Sequence, residues 1–230
     1  MPDLDQLRRL IRPNTKMICI NNANNPTGAL MDAAYLGDLV AIAKEVGAYI
    51  FSDEVYCSFD QPAPSIVYLY EKGIAINSLS KTYSIPGIRV GWVASNTKVA
   101  NILRDYRDYT MICAGVFDDM VATLVLENKE AILERNRQII EENLALMDEW
   151  IAKEPKASWI RPASVSTSFV KLDVDRPIEV FALELLQEYG VLVVPGNRFD
   201  KESHVRIGYC CDKEVLQKGL EKLSQFLNKC

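Results

Sequence analysis

The chain has 230 residues, a formal net charge of -5 and an ordinary share of charged residues, 25%. A chain of this length can bury a sizeable core, as one large domain or two small ones. The mild negative charge gives no reason to expect nucleic acid or an anionic membrane as a partner. No apolar stretch reaches the ~20 residues that a membrane span needs, so a membrane protein is not expected.

The N-terminal residues and the cysteines indicate a cytoplasmic protein. Neither a basic segment nor an apolar run follows Met1, so no signal peptide is expected. Irregularly spread cysteines, of which Cys19 lies in an apolar strand-like run, are typical of reduced thiols. With one histidine, His204, and no spaced cysteine pairs, a metal site is not expected. The six cysteines are Cys19, Cys57, Cys113, Cys210, Cys211 and Cys230.

Short apolar runs alternate with helical patterns in the first half of the chain. This alternation predicts a parallel sheet covered by helices on both faces. The predicted strands are 16–20, 48–51, 73–77 and 90–95, and the predicted helices are 3–11, 32–46, 65–71 and 97–109.

The second half changes character after a long helical pattern at 118–152, which is bent around Asn128. The predicted strands there are 168–173, 191–194 and 204–208, and the predicted helices are 177–189 and 212–228. We therefore predict an α/β protein with a mostly parallel sheet in a large domain and a small α+β C-terminal domain. The predicted boundaries are 1–127 for the large domain, 128–155 for an interdomain helix and 156–230 for the small domain.

Polar residues follow three successive predicted strands of the first half. They are Asn25-Pro26-Thr27-Gly28, Asp53-Glu54-Val55-Tyr56, and the stretch 78–89 with Lys81 at its centre. Parallel strands bring such ends together, at the edge of the sheet where open α/β folds bind ligands. Taken singly, each cluster also has an ordinary interpretation, as a turn, a solvated carboxylate or helix cap, or a surface charge.

Taken together, the motifs Asn25-Pro-Thr-Gly, Asp53-x-x-Tyr56, Ser78-x-Ser80-Lys81 and Arg89 resemble the class I and II aminotransferases. These are enzymes of fold type I that use pyridoxal phosphate. The later motifs Pro195-Gly196-x-x-Phe199 and Val205-Arg206-Ile207 match the same family, so the resemblance covers nearly the whole chain.

The resemblance implies catalytic roles for Lys81, Asp53 and Tyr56. Lys81 would bond its ε-amine to the cofactor aldehyde and later shuttle a proton. Asp53 would keep the pyridine nitrogen protonated, so that the ring can accept electrons. Tyr56 and Asn25 would hydrogen-bond the phenolic oxygen of the ring.

The resemblance also implies an anion-binding set. Ser78, Ser80 and Arg89 would hold the cofactor phosphate, with a charge-assisted fork from the arginine. Arg206 and Asn25 would bind the substrate, and Arg206 would clamp its α-carboxylate. The ordinary interpretation of Arg206 is a surface arginine at a strand edge.

The resulting hypothesis is an aminotransferase that moves an amino group between an amino acid and a 2-oxo acid, as a homodimer. A lyase or β-eliminating enzyme would use the same residues and stays open. A catalytically dead remnant that acts as a binding unit also stays open. Nucleotide binding is not favoured, since neither a Walker loop nor a dinucleotide glycine fingerprint is present.

Two further expectations come from comparison with the family pattern. The chain resembles the C-terminal part of an aminotransferase, and the family's N-terminal part supplies backbone N–H donors to the phosphate and a ring that stacks on the pyridine. We therefore expect the chain alone to bind the cofactor poorly and to show little transamination. The Asn25–Pro26 bond is expected to be cis, because Asn25 must be carried to the cofactor on a tight turn. The serine- and threonine-rich stretch 164–168 is read as a loop, with altered side-chain selection as its alternative.

Overall fold

The computed structural model describes residues 1–56, 59, 63–163 and 165–229. Of the residues singled out above, Cys57, Ser164 and Cys230 lie outside the described residues. The chain divides into two compact units, which are treated separately below. The first unit comprises Met1–Ala23 and Ala29–Asn136, and the second comprises Asn24–Gly28 and Arg137 onward. None of the described helices combines the length and the apolar character needed to cross a membrane.

The first unit has helices packed on a four-stranded sheet, and its elements follow the predicted order. Its helices are α1 (Leu4–Leu10), α2 (Ala33–Val46), α3 (Ile66–Leu69), α4 (Thr97–Arg107) and α5 (Val116–Glu127). Its strands are β1 (Met17–Asn21), β2 (Tyr49–Asp53), β3 (Gly73–Ser78) and β4 (Gly91–Ser95). Helix α6 (Lys129–Lys153) begins in this unit and continues in the second. The break between α5 and α6 falls at Asn128, as predicted.

The order of the strands is β1-β2-β3-β4, and β1, β2 and β3 run parallel. Strand β4 runs antiparallel to β3, so the sheet is mixed but mostly parallel, as predicted. The connection 79–90 contains no α-helix of the kind that usually forms a parallel crossover, and the chain returns in the opposite direction. This connection holds one 3₁₀ turn, Pro86–Ile88.

Helix α2 shows how the sequence builds the core of the first unit. The Asp32 carboxylate caps its start by accepting a hydrogen bond from the Tyr35 N–H at 2.8 Å. The helix ends at Gly47 in the left-handed conformation. Its inward side chains, Leu36, Leu39 and Val40 among them, are buried in one cluster with strand residues of the sheet. The predicted start and end of this helix are confirmed.

The second unit pairs an antiparallel sheet with helices α7 (Ile178–Tyr189) and α8 (Lys213–Leu227). The sheet order is β5-β6-β8-β7. Its strands are β5 (Ala157–Trp159), β6 (Thr167–Leu172), β7 (Val194–Pro195) and β8 (His204–Gly208). The buried Asn143 amide of α6 donates to the carbonyl oxygens of Tyr209 and Cys211, both at 2.7 Å, and joins this helix to the segment after β8.

Two features of the second unit differ from the sequence prediction. Strand β5 was not predicted, because three residues are too few for an alternating pattern to show. The predicted strand 191–194 is largely wrong, since only Val194 and Pro195 pair with β8. Val193 is buried without belonging to the strand, so the apolar run packs its side chains without a full ladder of hydrogen bonds. Pro195 donates no N–H, in keeping with the edge position of β7.

The return from β3 to β4 yields a prediction at Gly91. A Cβ at this position would lie 2.7 Å from the Asn77 carbonyl oxygen and 3.1 Å from the Ser78 Cβ. Gly91→Ala should therefore lower the free energy of unfolding by about 1–3 kcal/mol, because two paired strands must separate. Urea unfolding measures the loss.

Gly87→Ala is the matched control, since a Cβ at Gly87 in the same loop would meet nothing within 4 Å. It should change stability by no more than about 0.5 kcal/mol. Equal losses in the two variants would contradict the close approach of β3 and β4.

Candidate functional site

Asp53 stands at the carboxyl end of β2 and is held by neighbours on two sides. Its carbonyl oxygen accepts hydrogen bonds from the Asn22 N–H at 2.8 Å and the Asn21 side chain at 3.1 Å. Its carboxylate accepts the Val55 N–H at 3.1 Å and is half-buried. Glu54 continues the ladder to β3 by donating its N–H to the Ile76 carbonyl oxygen at 2.9 Å. The carboxylate is therefore positioned by the end of the sheet.

Lys81 lies on the closed loop between β3 and β4. The Leu79 N–H donates to the Val90 carbonyl oxygen at 3.1 Å, which closes the base of the loop. Within it, the Lys81 carbonyl oxygen accepts the Ser84 N–H at 2.9 Å. Ser84 and Arg89 both have left-handed backbones, with φ of 58° and 53°. Such conformations are uncommon outside glycine and often occur at functional sites.

The lysine loop is fastened to the Asp53–Tyr56 segment. The Thr82 hydroxyl, next to Lys81, donates to the Val55 carbonyl oxygen at 3.0 Å. The Lys81 ammonium nitrogen lies 5.5 Å from the centroid of the Tyr56 ring. Two segments that are far apart in sequence thus bring an amine and a phenol together. This agrees with the predicted convergence of strand ends.

Asn136 of α6 forms a hydrogen bond to the lysine loop at this junction. Its side-chain amide donates to the Thr82 carbonyl oxygen at 2.9 Å, and only 5% of the residue is exposed. Neither Thr82 nor Asn136 was predicted from the sequence as a functional residue. One signal was available, because Asn136 interrupts an apolar helical stripe at a spacing of four from Ile132 and Ile140.

Ser78, Ser80 and Arg89 lie along the same loop. The Ser78 hydroxyl accepts the Ser80 N–H at 3.3 Å, and both serines are half-buried. Arg89 is exposed, and one arm of its guanidinium donates to the Pro86 carbonyl oxygen at 2.6 Å. A guanidinium has five N–H donors, so this bond fixes one side of the group and leaves others for a ligand. Two hydroxyls and a permanent cation suit a phosphate.

The other two predicted site residues, Asn25 and Arg206, meet in the second unit. A guanidinium nitrogen of Arg206 donates to the Asn25 side-chain oxygen at 3.2 Å. The guanidinium carbon lies 5.4 Å from the centroid of the Phe199 ring, which stacks against one of its faces. Strand β8 lies between β6 and β7, so Arg206 is not at a sheet edge. The interpretation of Arg206 as a strand-edge surface residue is therefore wrong.

The turn that carries Asn25 is partly buried in the second unit, at Pro26 and Gly28. The Asn25–Pro26 bond is cis, as expected from the sequence, and the Asn22–Ala23 bond is also cis. Gly28 has φ of 68°, and its carbonyl oxygen accepts the Ala163 N–H at 3.1 Å. A Cβ at Gly28 would collide with Pro162. The Asn-Pro-Thr-Gly sequence is thus a packed structural element and not an ordinary solvent-exposed turn.

Residues 165–168, the described part of the serine- and threonine-rich stretch, lead into β6 and extend the sheet. Thr167 and Ser168 are buried, and the Ser168 hydroxyl donates to the Ile207 carbonyl oxygen at 3.1 Å. The interpretation of the stretch as a plain loop is wrong for these two residues. The buried Ser168 hydroxyl is thus accommodated by a hydrogen bond within the sheet.

Comparison with known proteins gives a consistent result. The family described as "Aminotransferase class I and II" matches residues 2–223. A probable N-acetyl-LL-diaminopimelate aminotransferase of Bacillus subtilis is 29% identical over 95% of this chain, and the match spans 57% of that protein. An aspartate aminotransferase of Thermotoga maritima is 30% identical over 99% of this chain and 60% of its own. Capreomycidine synthase of Streptomyces vinaceus is 27% identical over 98% of this chain, and the match spans 59% of that protein.

A solved structure matches the whole chain. The crystal structure of a PLP-dependent aminotransferase from Streptococcus suis has a TM-score of 0.98 and 68% sequence identity. The match covers 100% of this chain and 62% of the Streptococcus suis chain. The chain therefore spans about three fifths of the length of the relatives that it matches, and it corresponds to their C-terminal portion.

The support of the lysine loop by Asn136 gives a prediction. Asn136→Ala removes the donor to the Thr82 carbonyl oxygen in a buried place, which should cost about 1–3 kcal/mol of folding free energy. Asn101→Ala is the matched control, because Asn101 also lies within a helix but is fully solvent-facing. Urea unfolding compares the two, and amide hydrogen exchange of residues 79–85 should accelerate only in Asn136→Ala. Unchanged exchange there would show that Asn136 does not hold the loop.

The packing of the Asn25 turn gives a second prediction. Gly28→Ala should lose about 1–2 kcal/mol for a left-handed backbone, and about 1–3 kcal/mol more for the collision with Pro162. Gly190→Ala is matched, because Gly190 has φ of 67° but open space around its Cβ position, so it should show only the first loss. Thermal unfolding measures both. The buried turn would be contradicted by a Gly28 variant that is no less stable than the Gly190 variant.

Proposed function

Since the chain belongs to the class I and II aminotransferases, we propose that it is the lysine-bearing part of an enzyme of amino-group transfer. The proposed reaction moves an amino group from an amino acid to a 2-oxo acid with pyridoxal phosphate as cofactor. The observation that carries the proposal is the approach of the Lys81 amine to the Tyr56 ring, at 5.5 Å, in the unit that also holds Asp53.

The residues of the first unit fit the chemical groups of the cofactor one by one. Its aldehyde needs an amine, which Lys81 supplies on an exposed loop position. Its ring nitrogen needs a carboxylate, which Asp53 supplies at the end of β2. Its phosphate needs hydroxyls and a cation, which Ser78, Ser80 and Arg89 supply. When bound, the cofactor supplies a ring that accepts the electron pair released at the substrate α-carbon.

Lys81 is proposed to hold and move protons. Its loop is held through Thr82 on one side and the Leu79–Val90 closure on the other, while Lys81 itself is exposed. A fixed backbone with a long flexible amine suits a group that must first bond to the cofactor and then carry a proton to and from the substrate α-carbon.

Asp53 and Tyr56 are proposed to orient the ring from the segment that follows β2. The Asp53 carboxylate would keep the proton on the ring nitrogen. This role requires a negative charge at a fixed distance from that nitrogen, and the end of β2 fixes the position of the carboxylate. The Tyr56 hydroxyl would donate a hydrogen bond to the phenolic oxygen, and the Asn25 amide would be a second donor to that oxygen. The short segment from Asp53 to Tyr56 would thus supply two of the groups that hold the ring.

Arg206 is proposed to hold the substrate α-carboxylate. Its hydrogen bond to Asn25 and its stacking on Phe199 fix the plane of the guanidinium. A fixed plane leaves parallel N–H groups for a bidentate bond, which lysine could not form. Asn25 is therefore proposed to orient the guanidinium, and it is also proposed as a residue that binds the substrate.

We propose transamination as the type of reaction. Aspartate, aromatic and diaminopimelate aminotransferases are among the relatives, which favours transamination. A lyase that acts on an amino acid would use the same lysine, carboxylate and arginine. Product analysis separates the two, since transamination consumes a 2-oxo acid and yields a new amino acid, whereas β-elimination releases ammonia.

We further propose that the protein is cytoplasmic and forms homodimers, as expected of the family. The cysteines Cys19, Cys113 and Cys210 are free and exposed, which is compatible with a reducing compartment. Sedimentation of the purified chain measures the proposed self-association.

The proposed role of Lys81 predicts a selective labelling reaction. The 230-residue chain is incubated with pyridoxal phosphate and then reduced with borohydride, and the attached pyridoxyl group is mapped by mass spectrometry. We expect Lys81 to be labelled in preference to Lys98 and Lys218, which are exposed lysines outside the loop. We also expect labelling to be incomplete at micromolar cofactor, since the phosphate has few donors in this chain.

Lys81→Ala is expected to remove the preferred label and to leave the background labelling of Lys98 and Lys218 unchanged. Even labelling of all exposed lysines would contradict the cofactor site. Complete labelling of Lys81 at equimolar cofactor would instead support the site and contradict the expected weak binding.

A further inference from the structure

The Phe199 ring, which lies against the Arg206 guanidinium, is carried by a short 3₁₀ turn, Gly196–Phe199. We call this segment the Phe199 turn. The ring also contacts Phe169 edge-on, with 5.8 Å between the two centroids. A ring can fix the plane of a guanidinium only if the ring is itself held in place. The contacts that hold the Phe199 turn therefore bear on Arg206.

Close backbone contacts fix the start of the Phe199 turn. Gly196 is buried, and its carbonyl oxygen accepts the Lys201 N–H at 3.0 Å. A Cβ at Gly196 would collide with the carbonyl oxygens of Lys201 and His204. These contacts involve the first residue of the turn, and the side chains of the next two residues, Asn197 and Arg198, have a different partner.

That partner is Glu179, in the first turn of α7. One of its carboxylate oxygens accepts a hydrogen bond from the Asn197 side-chain amide at 2.9 Å, and the other accepts one from the Arg198 guanidinium. The Asn197 side-chain oxygen is buried and has no hydrogen-bond partner within the described part of the chain. Such an unpaired oxygen costs free energy, so the bond to Glu179 is the contact that determines how Asn197 is turned.

We propose that Glu179 is a positioning residue for the carboxylate clamp. Glu179 holds the Phe199 turn from the side of α7, the turn holds the Phe199 ring, and the ring restrains the guanidinium of Arg206. All of these residues lie in the second unit. The inference rests on the proposed function, in which Arg206 binds the substrate α-carboxylate.

Glu179 also has an ordinary interpretation, because a carboxylate in the first turn of a helix interacts favourably with the helix dipole. The variant Glu179→Gln separates the two roles. It removes the charge and keeps an oxygen that can accept the hydrogen bond from Asn197. A role in the helix dipole is lost in both Glu179→Ala and Glu179→Gln, whereas the positioning role is lost only in Glu179→Ala.

The first measurement follows the order of the Arg206 side chain in the 230-residue chain without ligand. Its Nε–Hε resonance is identified by its absence from the spectrum of Arg206→Lys, and the heteronuclear NOE reports its motion on the ps–ns timescale. We expect Glu179→Ala to lower this NOE towards the value of the exposed Arg9, and Glu179→Gln to leave it unchanged. Glu184→Ala is the matched control, since Glu184 of the same helix accepts a hydrogen bond from Arg176 instead.

The second measurement is a titration with pyruvate, a 2-oxo acid with a single carboxylate, followed at the same resonance. Glu179→Ala should raise the dissociation constant by about three- to tenfold, because the side chain must then be ordered on binding. Glu179→Gln and Glu184→Ala should stay within about twofold of the unchanged chain. Glu179→Ala should add nothing to the effect of Phe199→Leu, because both act through the ring.

The outcomes separate this inference from the proposed function. The inference is overturned if Arg206 stays ordered in Glu179→Ala, if the alanine and glutamine variants lose order equally, or if pyruvate binds Glu179→Ala as tightly as the unchanged chain. Loss of order in Glu179→Ala alone, with no pyruvate binding to any form, would support the positioning role and contradict the proposed role of Arg206. Urea unfolding of each variant checks that the fold is intact.

Discussion

The geometry of the first unit depends on the hydrogen bond from the Thr82 hydroxyl to the Val55 carbonyl oxygen. This bond joins the loop that follows β3 to the segment that follows β2, and so holds Lys81 beside Tyr56. Parallel strands bring their ends to one edge, but they leave the loops beyond those ends free to diverge. A single buried hydroxyl, with Asn136 behind it, removes much of that freedom. An exposed lysine side chain is thereby anchored on a rigid base.

In the second unit, two contacts fix the orientation of the Arg206 side chain. A guanidinium recognises a carboxylate through two parallel N–H groups, so its plane must be fixed before the ligand arrives. Arg206 is constrained by the Asn25 amide in its plane and by the Phe199 ring against one face. The buried turn at Gly28 in turn fixes Asn25. For the carboxylate contact proposed for Arg206, the conformational entropy of orienting the guanidinium is thus lost on folding and not on binding.

The strands of the first unit were predicted from the sequence where the local pattern of apolar residues agrees with the fold. Apolar runs of four to six residues gave β1, β2 and β3, and the order of polar motifs after them indicated a shared edge. Thr82 and Asn136 were missed because their roles arise only from contacts between segments far apart in sequence. The predicted strand 191–194 failed for a related reason, since β-branched residues favour burial in an extended chain but do not determine which of them find a hydrogen-bonding partner.

The apolar pattern of a helix reflects what the helix packs against in the working form of a protein. In α2 that pattern and the observed burial agree, and the inward residues lie in a closed core. In α4 the same kind of spacing is present while none of its residues is buried. Because exposed apolar area costs free energy in water, such a stripe is stable only where something covers it. Within one unit, the same apolar spacing therefore accompanies a packed core in α2 and a solvent-exposed apolar side in α4.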